Sequence, residues 1–278
     1  MPLGFPSAAI SSAFGFAAAE GDIFVASYPK CGTTWLQYIV YQLVSGQSLG
    51  SDDTLSEVFP HLEEVGAVAV TALSSPRLIK THLLFAQTPY SDSARYLVIA
   101  RNPFDCAVSF YHHTRGFPRH YDFADGSFSV FFDCFISGEV DFGDWFDHFA
   151  SWRAEAERGN VLWLTYEQLR EDPGGRIGDI ARFIQPGVAP DPARVDMIVA
   201  EASLDSMRRD QQRWSSKRPD WAPGFVRSGS VDGWQEYFTP AMARALLAKC
   251  ERCLGPRGLA EIWPGIAATA HEFANSGR

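Results

Sequence analysis

The sequence predicts an α/β fold, a central parallel sheet flanked by helices, within a single domain spanning residues 1–278. Two observations carry this. Short apolar runs recur along the chain, each followed by a helical pattern, and the first run opens into a turn suited to cradling an anion. A strand buried on both faces reads as a continuous apolar run rather than an alternating one, which is the mark of a parallel sheet covered by helices. A chain of 278 residues with 46% hydrophobic and 21% charged side chains is long enough and apolar enough to bury such a sheet.

The elements follow in order. Residues 22–27 (DIFVAS) predict the first strand and, after a turn, 34–43 (TWLQYIVYQL) a helix. Residues 77–80 (RLIK) predict the second strand. The third, 96–100 (YLVIA), leads into a helix running through Val108 to His113. The fourth, 161–165 (VLWLT), precedes a helix over 176–184. Strand–helix alternation of this kind places ligands at the carboxyl ends of the strands. Residues 111–152 are rich in aromatics, most expected in helix core and a minority facing a binding pocket. The last third reads as helical with Gly- and Pro-broken ends.

Charge narrows the function. With 24 basic and 33 acidic residues the formal net charge is −9. A general nucleic-acid surface or an anionic-membrane surface would need a basic stripe, so neither partner is expected. Any phosphate or sulfate site must be a local basic island. The five cysteines are odd in number and irregularly spaced, which fits a reducing compartment rather than a disulfide framework. Cys250 and Cys253 form one CxxC without the second pair a zinc site needs, and they are expected to be ordinary helix residues. Residues 1–20 carry no basic residue and are broken by polar ones, unlike a secretory signal or a membrane span. A cytoplasmic location is the resulting expectation.

The strongest local signal is YPKCGTTW (28–35), lying between a strand and a helix. In such a turn free backbone N–H groups and the helix dipole converge on an anion. Gly32 permits the tight backbone, Lys30 supplies a point charge, and Thr33 and Thr34 add hydroxyl donors. It is not a Walker A loop, because the lysine precedes the glycine and the first glycine is missing.

This segment resembles the 5'-phosphosulfate loop of the cytosolic sulfotransferases, in which a serine usually stands at the position of Cys31. Three further segments resemble the family in the same order. RLIKTHL (77–83) is similar to the strand carrying its catalytic histidine. RNPFDCAVS (101–109) is similar to its 3'-phosphate segment, with Arg101 and Ser109 eight residues apart. TYEQLREDP (165–173) is similar to its YEDL…DP segment. The run 100–118 and the following DFGDWFDH most resemble arthropod members.

The resemblance implies a sulfotransferase fold with a P-loop-like turn and 3'-phosphoadenosine-5'-phosphosulfate (PAPS) as donor, leaving PAP as product. No metal is expected. It implies His82 as base, Lys30 and Lys80 as cations at the transferred group, and Ser109 restraining Lys30. Lys30, Cys31, Gly32, Thr33, Thr34, Trp35, Arg101, Ser109 and Tyr166 are the expected nucleotide contacts. Ser203, Leu204, Met207, Arg227, Ser228 and Gly229 complete that set. Lys80, Thr81, His82 and Phe142 are expected at a small acceptor, such as a phenol, catecholamine or related amine, with residues 1–20 adjoining the pocket; sterols or hydroxylated xenobiotics fit almost as well. The sequence departs from the pattern at Ser228, a lysine in the family, and at Ala202 and Leu204, usually threonine and phenylalanine. Gln235, Pro240 and Arg244 replace the lysine, valine and glutamate of the family's dimer segment, so a monomer or weak homodimer is expected. Two alternatives are a nucleotide-binding protein that has lost efficient catalysis and a P-loop kinase, the latter lacking its Walker motif.

Overall fold

The computed structural model describes residues 4–214, 218–222 and 224–276, without the side chain of Arg119. Four parallel strands form one sheet in the order β2-β1-β3-β4: β1 is Ile23–Ala26, β2 Leu78–Thr81, β3 Arg95–Ala100 and β4 Val161–Thr165. Val25 pairs with Lys80 on one side and Leu97 on the other.

Both faces of the sheet are covered, which is why the strands read as apolar runs. Ile23 and Val25 point into a core with Leu36, Ile39 and Ile180. Phe24 and Ala26 point the other way, into a core with Leu62, Val70 and Trp152. The second strand is shifted by one residue from 77–80. Arg77 is instead held by Asp22 through two hydrogen bonds of 2.6 and 2.7 Å, and this pair locks the starts of β1 and β2 together.

The helix after β1 is Thr33–Ser45 and that after β3 is Pro103–Arg115, longer than the apolar runs suggested. The latter begins early because Asn102 caps it, its Oδ1 accepting from Asp105 N at 2.9 Å, and Pro103 occupies the first turn without losing a needed donor. A cap of this type contributes about 1 kcal/mol. Asp172 caps Pro173–Ile184 in the same way. Two further helices, Ser7–Ala13 and Leu62–Thr71, pack on each other.

Most of the aromatic stretch is core. Phe128, Phe131, Phe132, Phe135, Trp145, Phe146 and Phe149 lie on Phe128–Ser137 and Trp145–Arg153 and are all buried. Cys250 and Cys253 sit on the helix Pro240–Leu254. Among the described residues no helix is long and apolar enough to cross a membrane.

Candidate active site

The chain leaves β1 toward β2 on one side of the sheet, whereas β3 and β4 lie on the other. At that switch point, outside the carboxyl ends of the strands, is a cleft with a cavity volume of about 420 Å³. Each strand end delivers a side chain to it: Lys30 after β1, Lys80 and His82 from β2, Arg101 after β3 and Tyr166 after β4.

The turn after β1 has the geometry of an anion cradle. Lys30 and Gly32 both adopt positive φ, 69° and 101°, and a Cβ on Gly32 would come within 2.8 Å of the Tyr166 ring. Gly32 precedes Thr33–Ser45, whose first turn no side chain caps. Its N–H groups are left to an external acceptor. The Lys30 ammonium lies 4.0 Å from the Phe225 ring centroid. Burial lowers its pKa to about 7, helped by the positive charges of Arg218, Lys80 and Arg101. Such crowding of cations costs stability and is relieved by a bound anion. No hydrogen bond joins Lys30 to Ser109, although both line the cleft.

Arg101 donates through Nη2 to the Ser230 carbonyl at 2.8 Å and stacks over Tyr166 at 4.3 Å, while its buried Nε has no partner among the described residues. Trp35 and Tyr166 meet edge to face at 5.5 Å, and the Tyr166 hydroxyl donates to the Gly229 carbonyl at 3.1 Å. Leu204, Met207, Arg227, Ser228 and Gly229 close this end. A Cβ on Gly229 would meet Leu204 at 2.9 Å, so the cradle tolerates only glycine there without movement.

Three expected contacts point elsewhere. The Cys31 side chain is fully buried, its Sγ 3.8 Å from that of Cys106, and does not line the cleft. Thr81 is fully buried, and its hydroxyl accepts from Leu83 N at 3.1 Å. The Ser203 hydroxyl caps Leu204–Arg209 and donates to the Ala200 carbonyl at 2.7 Å. Each is consumed by local structure, a cost that spacing alone does not display.

At the opposite end His82 is buried, with Nδ1 2.6 Å from the Ser27 carbonyl oxygen. A carbonyl can only accept, so Nδ1 carries the proton and Nε2 keeps its lone pair. Burial, then the charge of Lys80, hold the imidazole well below its ordinary range, so it is neutral at pH 7. The Phe142 ring lies 5.0 Å from His82, on a backbone with φ 65°. Phe5, Phe117 and Tyr121 line the same end.

Sequence reasoning missed two residues behind His82. The fully buried Glu63 accepts from the His82 backbone N–H at 2.7 Å, and its Oε1 lies 3.2 Å from His61 Nε2. Burial raises its pKa to about 7. The sequence gives no hint of this, since a Glu-Glu pair at a helix start reads as a solvated, dipole-favoured turn. His61 rests on Phe142 at 5.9 Å and on His82 at 4.8 Å. Among the described residues no three His, Cys, Asp or Glu side chains are grouped to hold a metal ion.

A family model described as a sulfotransferase domain matches residues 20–257. Human sulfotransferase 1C2 is 31% identical over 242 residues, covering 81% of this chain and 80% of its own. Zebrafish cytosolic sulfotransferase 1 is 31% identical with the same coverage. Among solved structures, mouse sulfotransferase SULT7A1 complexed with PAP matches with a TM-score of 0.77 at 25% identity, over 95% of this chain and 94% of that one. A retinol dehydratase complexed with androsterone and PAP shares the fold, with a TM-score of 0.78 at 20% identity over 88% of this chain and 84% of that one.

Proposed function

The chain belongs to the sulfotransferase family, and from that premise we propose that it moves a sulfonyl group from PAPS to a hydroxyl or amine of a small aromatic acceptor. The observation that carries this reading is one cleft with two unlike ends: crowded cations around the turn after β1 at one, and a neutral histidine whose Nε2 keeps its lone pair at the other.

The residues present fit the donor. The orphaned Arg101 Nε, the uncapped first turn at Thr33 and the glycines at 32 and 229 suit a nucleotide carrying two phosphate groups. When bound, that donor supplies a sulfonyl group whose leaving group is a phosphate. Lys30 and the turn hold the 5' side and stabilise negative charge developing there. Arg101, with Ser109 and Arg227, takes the 3'-phosphate through the planar donors of its guanidinium. Trp35 and Tyr166 flank the adenine. Lys80 stands beside the transferred group. His82 Nε2 takes the proton of the acceptor hydroxyl, and the Ser27 carbonyl stabilises the imidazolium that results.

The aromatic wall of Phe5, Phe117, Tyr121 and Phe142 supports a flat apolar acceptor. Phe5 brings the N-terminal residues into the same unit, so residues 1–278 act together as one domain. We assign the protein to the cytoplasm, as a monomer or weak homodimer. For the oligomeric state the supporting observation is Arg244, which donates within its own chain to the Ala274 carbonyl.

The test is transfer of label from radiolabelled PAPS to a panel of phenols and aromatic amines in the presence of EDTA. Labelled products at a rate proportional to enzyme are expected. Tight PAP binding with no transfer to any acceptor would favour the binding-protein reading, and absence of PAP binding would overturn the assignment.

A further inference from the structure

We propose that Tyr28 is a positioning residue for the acceptor: its hydroxyl holds the loop that sets the Phe142 ring beside His82. This rests on the proposed sulfonyl transfer, in which Phe142 is part of the wall that meets the acceptor.

The loop joins the helices Phe128–Ser137 and Trp145–Arg153, and two consecutive residues in it adopt positive φ, Phe142 at 65° and Gly143 at 75°. Glycine takes that region freely. For phenylalanine it costs free energy, and it persists only where surrounding contacts hold it. The conformation places the ring 5.0 Å from His82 and 5.9 Å from His61.

Contacts from distant parts of the chain hold this loop. Lys249, buried on the helix Pro240–Leu254, pairs with the Asp144 carboxylate and donates to the Ile136 carbonyl at 2.6 Å, so it fixes both ends. Between those ends the Gly143 N–H donates to the Val140 carbonyl at 3.0 Å and closes the turn around Phe142. The Gly143 carbonyl, next to Phe142, accepts from the Tyr28 hydroxyl at 2.9 Å.

Tyr28 is built for this contact. It is buried, and its ring meets Phe110, Phe135 and His148 edge to face at 6.0, 6.4 and 5.8 Å, so packing sets the direction of the hydroxyl. Burial above all raises its ionisation well above the ordinary range, so the oxygen keeps its proton and donates. A phenylalanine would fill the same core, so packing alone does not account for the hydroxyl. Tyr28 is not among the residues lining the cleft, and its effect on an acceptor must pass through the loop. Three residues at the exit of β1 thus address three parts of the reaction: Ser27 the base, Tyr28 the acceptor wall and Lys30 the donor.

The experiment measures acceptor KM, kcat and PAP affinity with a phenol in wild type, Tyr28→Phe, Phe142→Ala and the double variant. Tyr28→Phe is expected to raise acceptor KM about 5-fold, as for one lost hydrogen bond, with kcat and PAP affinity within about 2-fold of wild type. Phe142→Ala should raise KM at least as much. In the double variant KM should stay within about 2-fold of Phe142→Ala alone, because Tyr28 acts through that ring. A second full rise in the double variant overturns the proposal, since the hydroxyl would then act on the protein generally. Weakened PAP binding in Tyr28→Phe overturns it too, because the hydroxyl would serve the nucleotide turn. So does an unchanged acceptor KM in Phe142→Ala, a variant that leaves Tyr28 intact. Absence of transfer by wild type while PAP binds is a different result: it removes the underlying acceptor reading and this inference with it.

Discussion

His82 Nδ1 lies 2.6 Å from the carbonyl oxygen of Ser27, and this contact fixes which nitrogen of the imidazole faces the cleft as a base. Ser27 ends the first strand run and His82 follows the second, so the pairing of β1 with β2 sets the tautomer. The register of Ala26 against Thr81 brings the residues that follow them, Ser27 and His82, side by side.

Lys30 carries the first prediction. Its pKa of about 7 in the free protein comes mainly from burial, with further lowering by Arg218, Lys80 and Arg101. An anion beside it favours the charged form. Binding of PAP at pH 8 should therefore take up about one proton, and affinity should fall as pH rises above 7. Calorimetry in buffers of different ionisation enthalpy reads this directly. Lys30→Met should abolish the uptake, whereas uptake unchanged in that variant would contradict the assignment.

Glu63 positions the base through its backbone. Glu63→Gln keeps an acceptor for the His82 N–H and should retain kcat within about 3-fold, whereas Glu63→Ala removes it and should lower kcat about 10-fold. PAP affinity should stay level in both. Equal kcat in the two variants, or loss of PAP binding in Glu63→Ala, would refute a positioning role.

How the protein responds to acid follows from its buried imidazoles. His61, His82 and His113 are held well below the ordinary range, His112 is lowered to about 4 and His148 to about 3, burial being the largest cause in each. Below pH 6.5 the unfolded chain binds protons that the folded chain does not, so stability falls on acidification. His148 alone accounts for about 2 kcal/mol at pH 5. Glu63 works in the opposite sense, because its folded pKa of about 7 lies above the unfolded value, and its contribution is lost as pH rises through 7. One carboxyl offsets about one imidazole. Tm should therefore drop clearly between pH 7.5 and pH 5, and a Tm that rises over that interval would contradict this account.

The sheet and the phosphate turn were legible because their signals are local. Each apolar run is a strand buried on both faces, and Lys30, Gly32 and Thr33 are neighbours in sequence. The helix at 103–115 was legible only in part, since its start depends on the Asn102 cap rather than on apolar spacing. Glu63 was not legible at all: its partner is the backbone of a residue on another element, 19 positions away. Cys31, Thr81 and Ser203 show the reverse limit. They stand where nucleotide or acceptor contacts were expected, yet packing and local hydrogen bonds claim their side chains.

The central claim is that His82 Nε2 takes the acceptor's proton, and the most direct measurement is single-turnover label transfer from PAPS to a phenol by wild type and by His82→Ala, with PAP binding titrated in parallel. The account predicts that His82→Ala binds PAP like wild type while transfer falls by about 100- to 10,000-fold. Transfer by His82→Ala within a few-fold of wild type would contradict it.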